Sequence, residues 1–92
     1  MSWTLDRSGR FKRRYNEKSA DDQQKVDEAI RKLTASNDPR NLGTKKHGSL
    51  DGCYGHDLDF HSRILYKVDM ANRIIYFLRV CSHEEAYGRG RR

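Results

Sequence analysis

Near the C-terminus, Ser82-His83-Glu84-Glu85-Ala86-Tyr87 sets a histidine and a tyrosine four positions apart, directly after the most apolar run of the chain, RIIYFLRV (73–80). A histidine can give or take a proton near neutral pH. Arg63 opens another apolar run, RILYKVD (63–69), and an arginine fork can hold two oxygens of an anion without ever losing its charge. Three further histidines, His47, His56 and His61, lie upstream of it. Each residue also has an ordinary reading. His83 could be a solvated strand end, Arg63 a surface arginine paired to a carboxylate, and Tyr87 an aromatic covering the edge of the core. The elements that position them must decide.

The chain of 92 residues carries 19 Lys+Arg against 13 Asp+Glu, a net charge of +6. Its pI is near 9.6 and its mean hydropathy −1.05. That length makes one domain, 1–92, with 88–92 expected to be a mobile tail. The charge balance favours a polyanionic partner, either nucleic acid or an acidic protein. Cys53 and Cys81 belong to no CxxC pair and read as small buried apolar residues in a reducing cytosol. No pair of His or Cys has the short spacing of a zinc site, so neither metal nor cofactor is expected. Residues 1–20 lack the apolar core of a signal peptide and no run approaches membrane-spanning length, so the expected location is cytoplasmic, with no membrane partner.

The pattern predicts a strand at SWTLD (2–6) and a helix over 8–20, where Phe11 and Tyr15 form a thin apolar stripe on a basic face behind a Ser8 cap. A second helix over 19–36 has Ser19 as its cap, acids in its first turn, and Val26, Ala29, Ile30 and Leu33 as its buried stripe. SNDP (36–39) ends it, and 40–52 is read as a basic loop. Strand-like runs follow at 53–60, 63–69 and 73–80, the last two joined by a short turn at 70–72 with Asn72 near the bend. The expected class is α+β: two N-terminal helices packed on one face of a curved, mainly antiparallel sheet. Trp3, Val26, Ile30, Leu33, Ile64, Leu65, Ile74, Ile75 and Phe77 are the expected core. Arg63 should lie across the last hairpin from residues near 78–80.

LDGCYGHDL (50–58), SRILYKVD (62–69) and FLRVCSHEEAY (77–87), in this order, resemble the RelE/ParE superfamily of toxins from type II toxin–antitoxin pairs. The His-x3-Tyr spacing at 83–87 is similar to that of YafQ-like members. RelE itself carries two lysines in the strand after the basic loop. This chain has Gly55 and Asp57 there, which sets aside a lysine-based chemistry.

The resemblance implies a RelE-like microbial RNase fold and a metal-independent, ribosome-dependent mRNA endonuclease. Its partners would be the ribosome, mRNA and a cognate acidic antitoxin that neutralises it. Such cleavage needs a base for the 2′-hydroxyl proton, a cation for the crowded phosphate and an acid for the leaving 5′-oxygen. By that resemblance His83 is the acid, Arg63 the phosphate clamp, and Tyr87 orients the phosphate or stacks on a base. His61 or His56 supplies the general base. His61 would share a face with Arg63 if the strand were continuous. Asp57 and Asp59 are disfavoured as bases by repulsion from phosphate. Lys45, Lys46, His47, Arg79, Arg13 and Arg14 are the expected RNA and ribosome contacts. His83→Ala and Arg63→Ala should each remove most of the toxicity and leave the fold intact. The alternative is a ParE-like inhibitor of DNA gyrase with no nuclease activity.

Overall fold

A computed structural model describes residues 3–45, 52–59 and 61–82, with backbone alone for 81 and 82. The elements run β1 (Thr4–Arg7), α1 (Gly9–Asn16), α2 (Ala20–Ala35), a 3-10 turn (Pro39–Leu42), β2 (Thr44–Lys45), β3 (Tyr54–Asp57), β4 (Ser62–Asp69) and β5 (Ile74–Ser82). The five strands form one sheet in the order β1-β5-β4-β3-β2. Every pairing is antiparallel except β1 with β5, where Thr4 stands beside Ile74 and Arg7 beside Phe77. The expected α+β layout holds. The basic loop is more ordered than expected, because Asp38 caps the 3-10 turn through Arg40 N and the two-residue strand β2 then joins the sheet edge.

Both helices begin where the serines predict. Ser8 Oγ accepts from Phe11 N at 3.0 Å and Ser19 Oγ accepts from Asp22 N at 3.2 Å, caps worth about 1 kcal/mol each. The thin stripe of α1 divides its work. Phe11 is buried against Phe77, with ring centroids 5.5 Å apart. Tyr15 reaches α2 instead, where its hydroxyl donates to the Asp27 carboxylate at 3.0 and 3.1 Å. That carboxylate raises the Tyr15 phenol above its ordinary pKa, because it stabilises the protonated form.

The core lies between the helices and one face of the sheet. Trp3, Phe11, Val26, Ala29, Leu33, Ile64, Tyr66, Ile75, Phe77 and Val80 form it, with Ile30 and Val68 partly buried against them. Ile74, an expected core residue, is only half-buried, because alternation along β5 turns it away from its neighbour Ile75. Trp3 Nε1 donates to Ser36 O at 2.9 Å, fixing the start of β1 to the end of α2. In the β4–β5 turn the left-handed residue is Arg73 (φ 57°), not Asn72. Asp69 holds Asn72 through its backbone N (3.1 Å) and side-chain amide (2.9 Å), so the reversal falls one residue later. The Arg73 guanidinium lies 4.1 Å from the Trp3 ring centre.

Asp59 fastens the turn between β3 and β4. Its carboxylate takes Lys25 Nζ of α2 at 2.9 Å, and its Oδ1 accepts the backbone N–H of His61 and Ser62, each at 2.8 Å. These donors, Lys25 foremost, hold its pKa down to about 2, below the ordinary carboxylate value of about 3.9. A depressed folded-state pKa gives stability that is complete above about pH 4 and disappears as the pH falls through about 2. The stability gap between the parent and Asp59→Asn is therefore expected to be flat above pH 4 and to shrink toward pH 2, as read by urea unfolding across that range. A gap independent of pH would show that the carboxylate charge contributes nothing. Among the described residues, no helix is long and apolar enough to cross a membrane.

Candidate functional site

Residues 63 and 79 meet because of one irregularity in the sheet. Along β4, Ile64 and Tyr66 enter the core, so Arg63, Leu65 and Lys67 turn to the face away from the helices. On β5, Phe77 and Val80 both enter the core although they are three residues apart. The register explains this: Tyr66 stands opposite Phe77, Leu65 opposite Arg79, and Leu78 is the extra residue of a bulge. Without the bulge, Arg79 would follow Phe77 into the core. With it, Arg79 and Arg63 become diagonal neighbours on the far face. The expected pairing of Arg63 with residues 78–80 is thereby corrected, since Arg63 stands opposite Cys81. Sequence alternation alone could not show the inserted residue.

Ser8 stabilises the bulge, its Oγ donating to Leu78 O at 2.6 Å and its N–H to Phe77 O at 3.0 Å. One residue thus caps α1 and seats that helix beside β5. Because β1 ends opposite Phe77, β5 beyond it borders α1 directly. Arg10, Arg13 and Arg14 share one helix face at i, i+3 and i+4. Together with Glu17 and Arg79 they line a groove of about 280 Å³. A second groove of similar volume on the other flank of α1 is lined by Arg7, Phe11, Lys12, Tyr15 and Asn16.

Arg63 is not a loose cation. Its Nε and Nη2 both donate to Asp57 Oδ1 at 2.7 Å. Asp57 sits opposite it on β3, on the same face. The Arg63 side chain is 6% exposed and that of Asp57 57%. This asymmetry sets the cost of breaking the pair. Asp57→Ala takes a carboxylate from a buried guanidinium, whereas Arg63→Met keeps the apolar stem packed and takes the cation from a carboxylate that is already more than half exposed. Asp57→Ala is expected to cost about 1–2 kcal/mol and Arg63→Met less than about 1 kcal/mol, measured as urea unfolding midpoints. The reverse order would mean that the pair does not hold Arg63 in place. Arg63→Ala, which removes the stem as well, is therefore not the fold-neutral change expected from sequence.

The other predicted residues separate. His56 stands opposite Ile64 and so faces the helix side, away from Arg63. Its Nδ1 is 2.7 Å from Leu42 O. A carbonyl only accepts, so Nδ1 carries the proton and the neutral ring's lone pair is on Nε2. His61 precedes β4, which begins at Ser62, so the continuous-strand premise that aligned it with Arg63 does not hold. It is exposed. Lys45 is exposed on the edge strand β2, opposite Tyr54. Lys46, His47, His83 and Tyr87 lie outside the described residues, and β5 is followed to Ser82, one residue short of His83. Sequence reasoning missed Asp57 as the partner of Arg63, and Glu17 as a wall of the arginine groove. The i+3 and i+4 spacing of Arg10, Arg13 and Arg14 was the available signal for the groove. Among the described residues, no cluster of three or more His, Cys, Asp or Glu could hold a metal ion.

Two helices on a five-stranded sheet with a parallel first strand is the architecture of known bacterial toxins. The YoeB/ParE toxin from Agrobacterium tumefaciens is similar with a TM-score of 0.74 at 17% identity, covering 87% of this chain and 98% of that one. A mutant of Escherichia coli toxin RelE in the free state gives 0.73 at 18%, covering 94% and 88%. The toxin in the intact E. coli RelBE toxin–antitoxin complex gives 0.70 at 15%, covering 87% and 95%. No curated protein sequence matches the chain. Residues 5–90 match the family described as ParE-like toxin of type II bacterial toxin–antitoxin system, and the chain belongs to that family.

Proposed function

We propose that this toxin is an endoribonuclease that cuts mRNA on the ribosome, held in check by a cognate acidic antitoxin. The observation that supports this reading is the far face of the sheet. There the β5 bulge sets Arg79 diagonally beside Arg63, on the strand that leads to His83.

In this reading a phosphate of the mRNA meets Arg79, and Arg63 clamps it once the phosphate takes the place of the Asp57 carboxylate on its guanidinium. A base removes the proton of the 2′-hydroxyl and the oxygen attacks the adjacent phosphorus. His83 protonates the departing 5′-oxygen, leaving a 2′,3′-cyclic phosphate. His61 suits the role of base better than His56, because His56 faces the helix side and is bonded to Leu42 O. Tyr87 orients the phosphate or stacks on a neighbouring base. Lys45, Lys46 and His47 contact RNA, and the whole acts in the cytoplasm, where its substrate is. The +6 charge suits both the ribosome and an acidic antitoxin.

A second reading, inhibition of DNA gyrase without nuclease activity, is favoured by the engagement of buried Arg63 with Asp57. Primer extension on a reporter mRNA, with purified protein and with or without ribosomes, separates them. Cuts within codons that require ribosomes are the expected result. Intact mRNA, together with loss of gyrase supercoiling, would establish the second reading.

A further inference from the structure

The two grooves flanking α1 are similar in size and both carry cations, but they differ in what accompanies them. One has Phe11 and Tyr15 among its walls. The other is lined, among the described residues, by Arg10, Arg13, Arg14, Glu17 and Arg79, none of them aromatic or aliphatic. Protein hot spots pair arginine with tryptophan and tyrosine in desolvated pockets, and here the described walls carry arginines with no aromatic side chain beside them. Among the described residues its walls carry four arginines and one glutamate, and an arginine's planar fork matches two phosphate oxygens.

We propose that the Arg10–Arg13–Arg14–Arg79 groove is a docking track for the phosphodiester backbone of single-stranded RNA. Arg10 and Arg13 are exposed, and Arg14 and Arg79 are half-buried. The outer pair captures the strand and the inner pair sets its depth. Contacts of this kind give affinity without sequence choice and a steep dependence on salt. Arg79 also belongs to the far face beside Arg63, so a strand lying in the groove leads toward that face. This continuity rests on the nuclease reading, but the track itself does not.

The test uses the full chain and a fluorescent 2′-O-methylated oligonucleotide, which the proposed chemistry cannot cut. Binding is followed by anisotropy over a range of salt concentrations. Arg10→Gln/Arg13→Gln is compared with Arg7→Gln/Lys12→Gln, which removes the same charge from the opposite groove. The first pair is expected to lower the slope of log Kd against log salt by about 1.4, near 0.7 per lost phosphate contact in a single strand. The second pair should leave the slope nearly unchanged. Arg79→Gln should lower it by about 0.7. If the double variant fails to fold, Arg10→Gln alone at its exposed helical position gives the same reading at half the size. Equal losses from the two grooves would overturn the proposal, as would displacement of the RNA by polyglutamate as effectively as by unlabelled RNA. A toxin that binds in this way yet leaves mRNA intact fails the nuclease reading and keeps the track. Cleavage with an unchanged slope does the reverse.

Discussion

His83→Ala is expected to slow ribosome-stimulated cleavage by about 10²–10⁴-fold, the usual contribution of a positioned general acid. The leaving group in 2′-hydroxyl attack is an alkoxide, too basic to depart without a proton at neutral pH. Among the residues with proposed roles, His83 and Tyr87 are the two that follow β5. Of these, only a histidine exchanges a proton readily near pH 7. The measurement is a single-turnover rate on programmed ribosomes at saturating toxin, which isolates the chemical step from binding. The pH profile adds a second reading: the parent should lose rate on the alkaline side as the imidazole deprotonates, and the variant should lack that limb. A variant as fast as the parent with an unchanged profile would remove His83 from the chemistry.

Gly43→Ala carries the largest expected effect on stability. A Cβ at residue 43 would lie 2.5 Å from Tyr66 Oη, 3.1 Å from Tyr66 Cζ and 3.0 Å from Gly55 O. The backbone there is extended (φ −130°), so the obstacle is space and not conformation. Tyr66 cannot yield cheaply. It is fully buried, it occupies the centre of β4, and its hydroxyl donates to Pro39 O at 2.6 Å. Burial also pushes its phenol well above the ordinary pKa, so the hydroxyl remains a donor at every pH of interest. Overpacking together with loss of a buried hydrogen bond is expected to cost about 2–4 kcal/mol, read from urea unfolding midpoints. Tyr66→Phe removes the closest atom in the clash. The double variant Gly43→Ala/Tyr66→Phe should therefore be more stable than the sum of the two single losses by about 1 kcal/mol or more. Strict additivity would mean that residue 43 does not press on Tyr66.

The helices were legible because their signals are local. Ser8 and Ser19 announce the caps, and the spacing of Val26, Ala29 and Leu33 announces the buried stripe. The β4–β5 hairpin was legible from its apolar runs. What escaped depends on contacts between distant segments. Nothing in Thr4–Arg7 shows that it will pair in parallel with Ile74–Phe77. The 3-10 turn and β2 form because Tyr66 and the edge of β3 receive them. The site was legible as a set of residue types and illegible as a geometry. The inserted Leu78 decides which face Arg79 takes, and the register of β3 decides that Arg63 meets Asp57 while His56 turns away. A carboxylate six residues before an arginine carries no signal until the hairpin is registered. The glycine at 43 reads as a flexible loop residue, yet what it supplies is room for a tyrosine.

The parallel pairing of β1 with β5 also orders events during synthesis. Among the described residues β5 is the only partner of β1 and one of two partners of β4, and of their strands it is the last to leave the ribosome. A nascent chain that has emitted both helices and β1 to β4 still lacks the described neighbour of β1 and the Phe77 ring that packs on Phe11. Closing the sheet then spans nearly the whole chain, a long loop whose closure entropy slows folding. The domain therefore assembles as a late, all-or-none event, and a chain halted before Ile74 yields no partly built version of it.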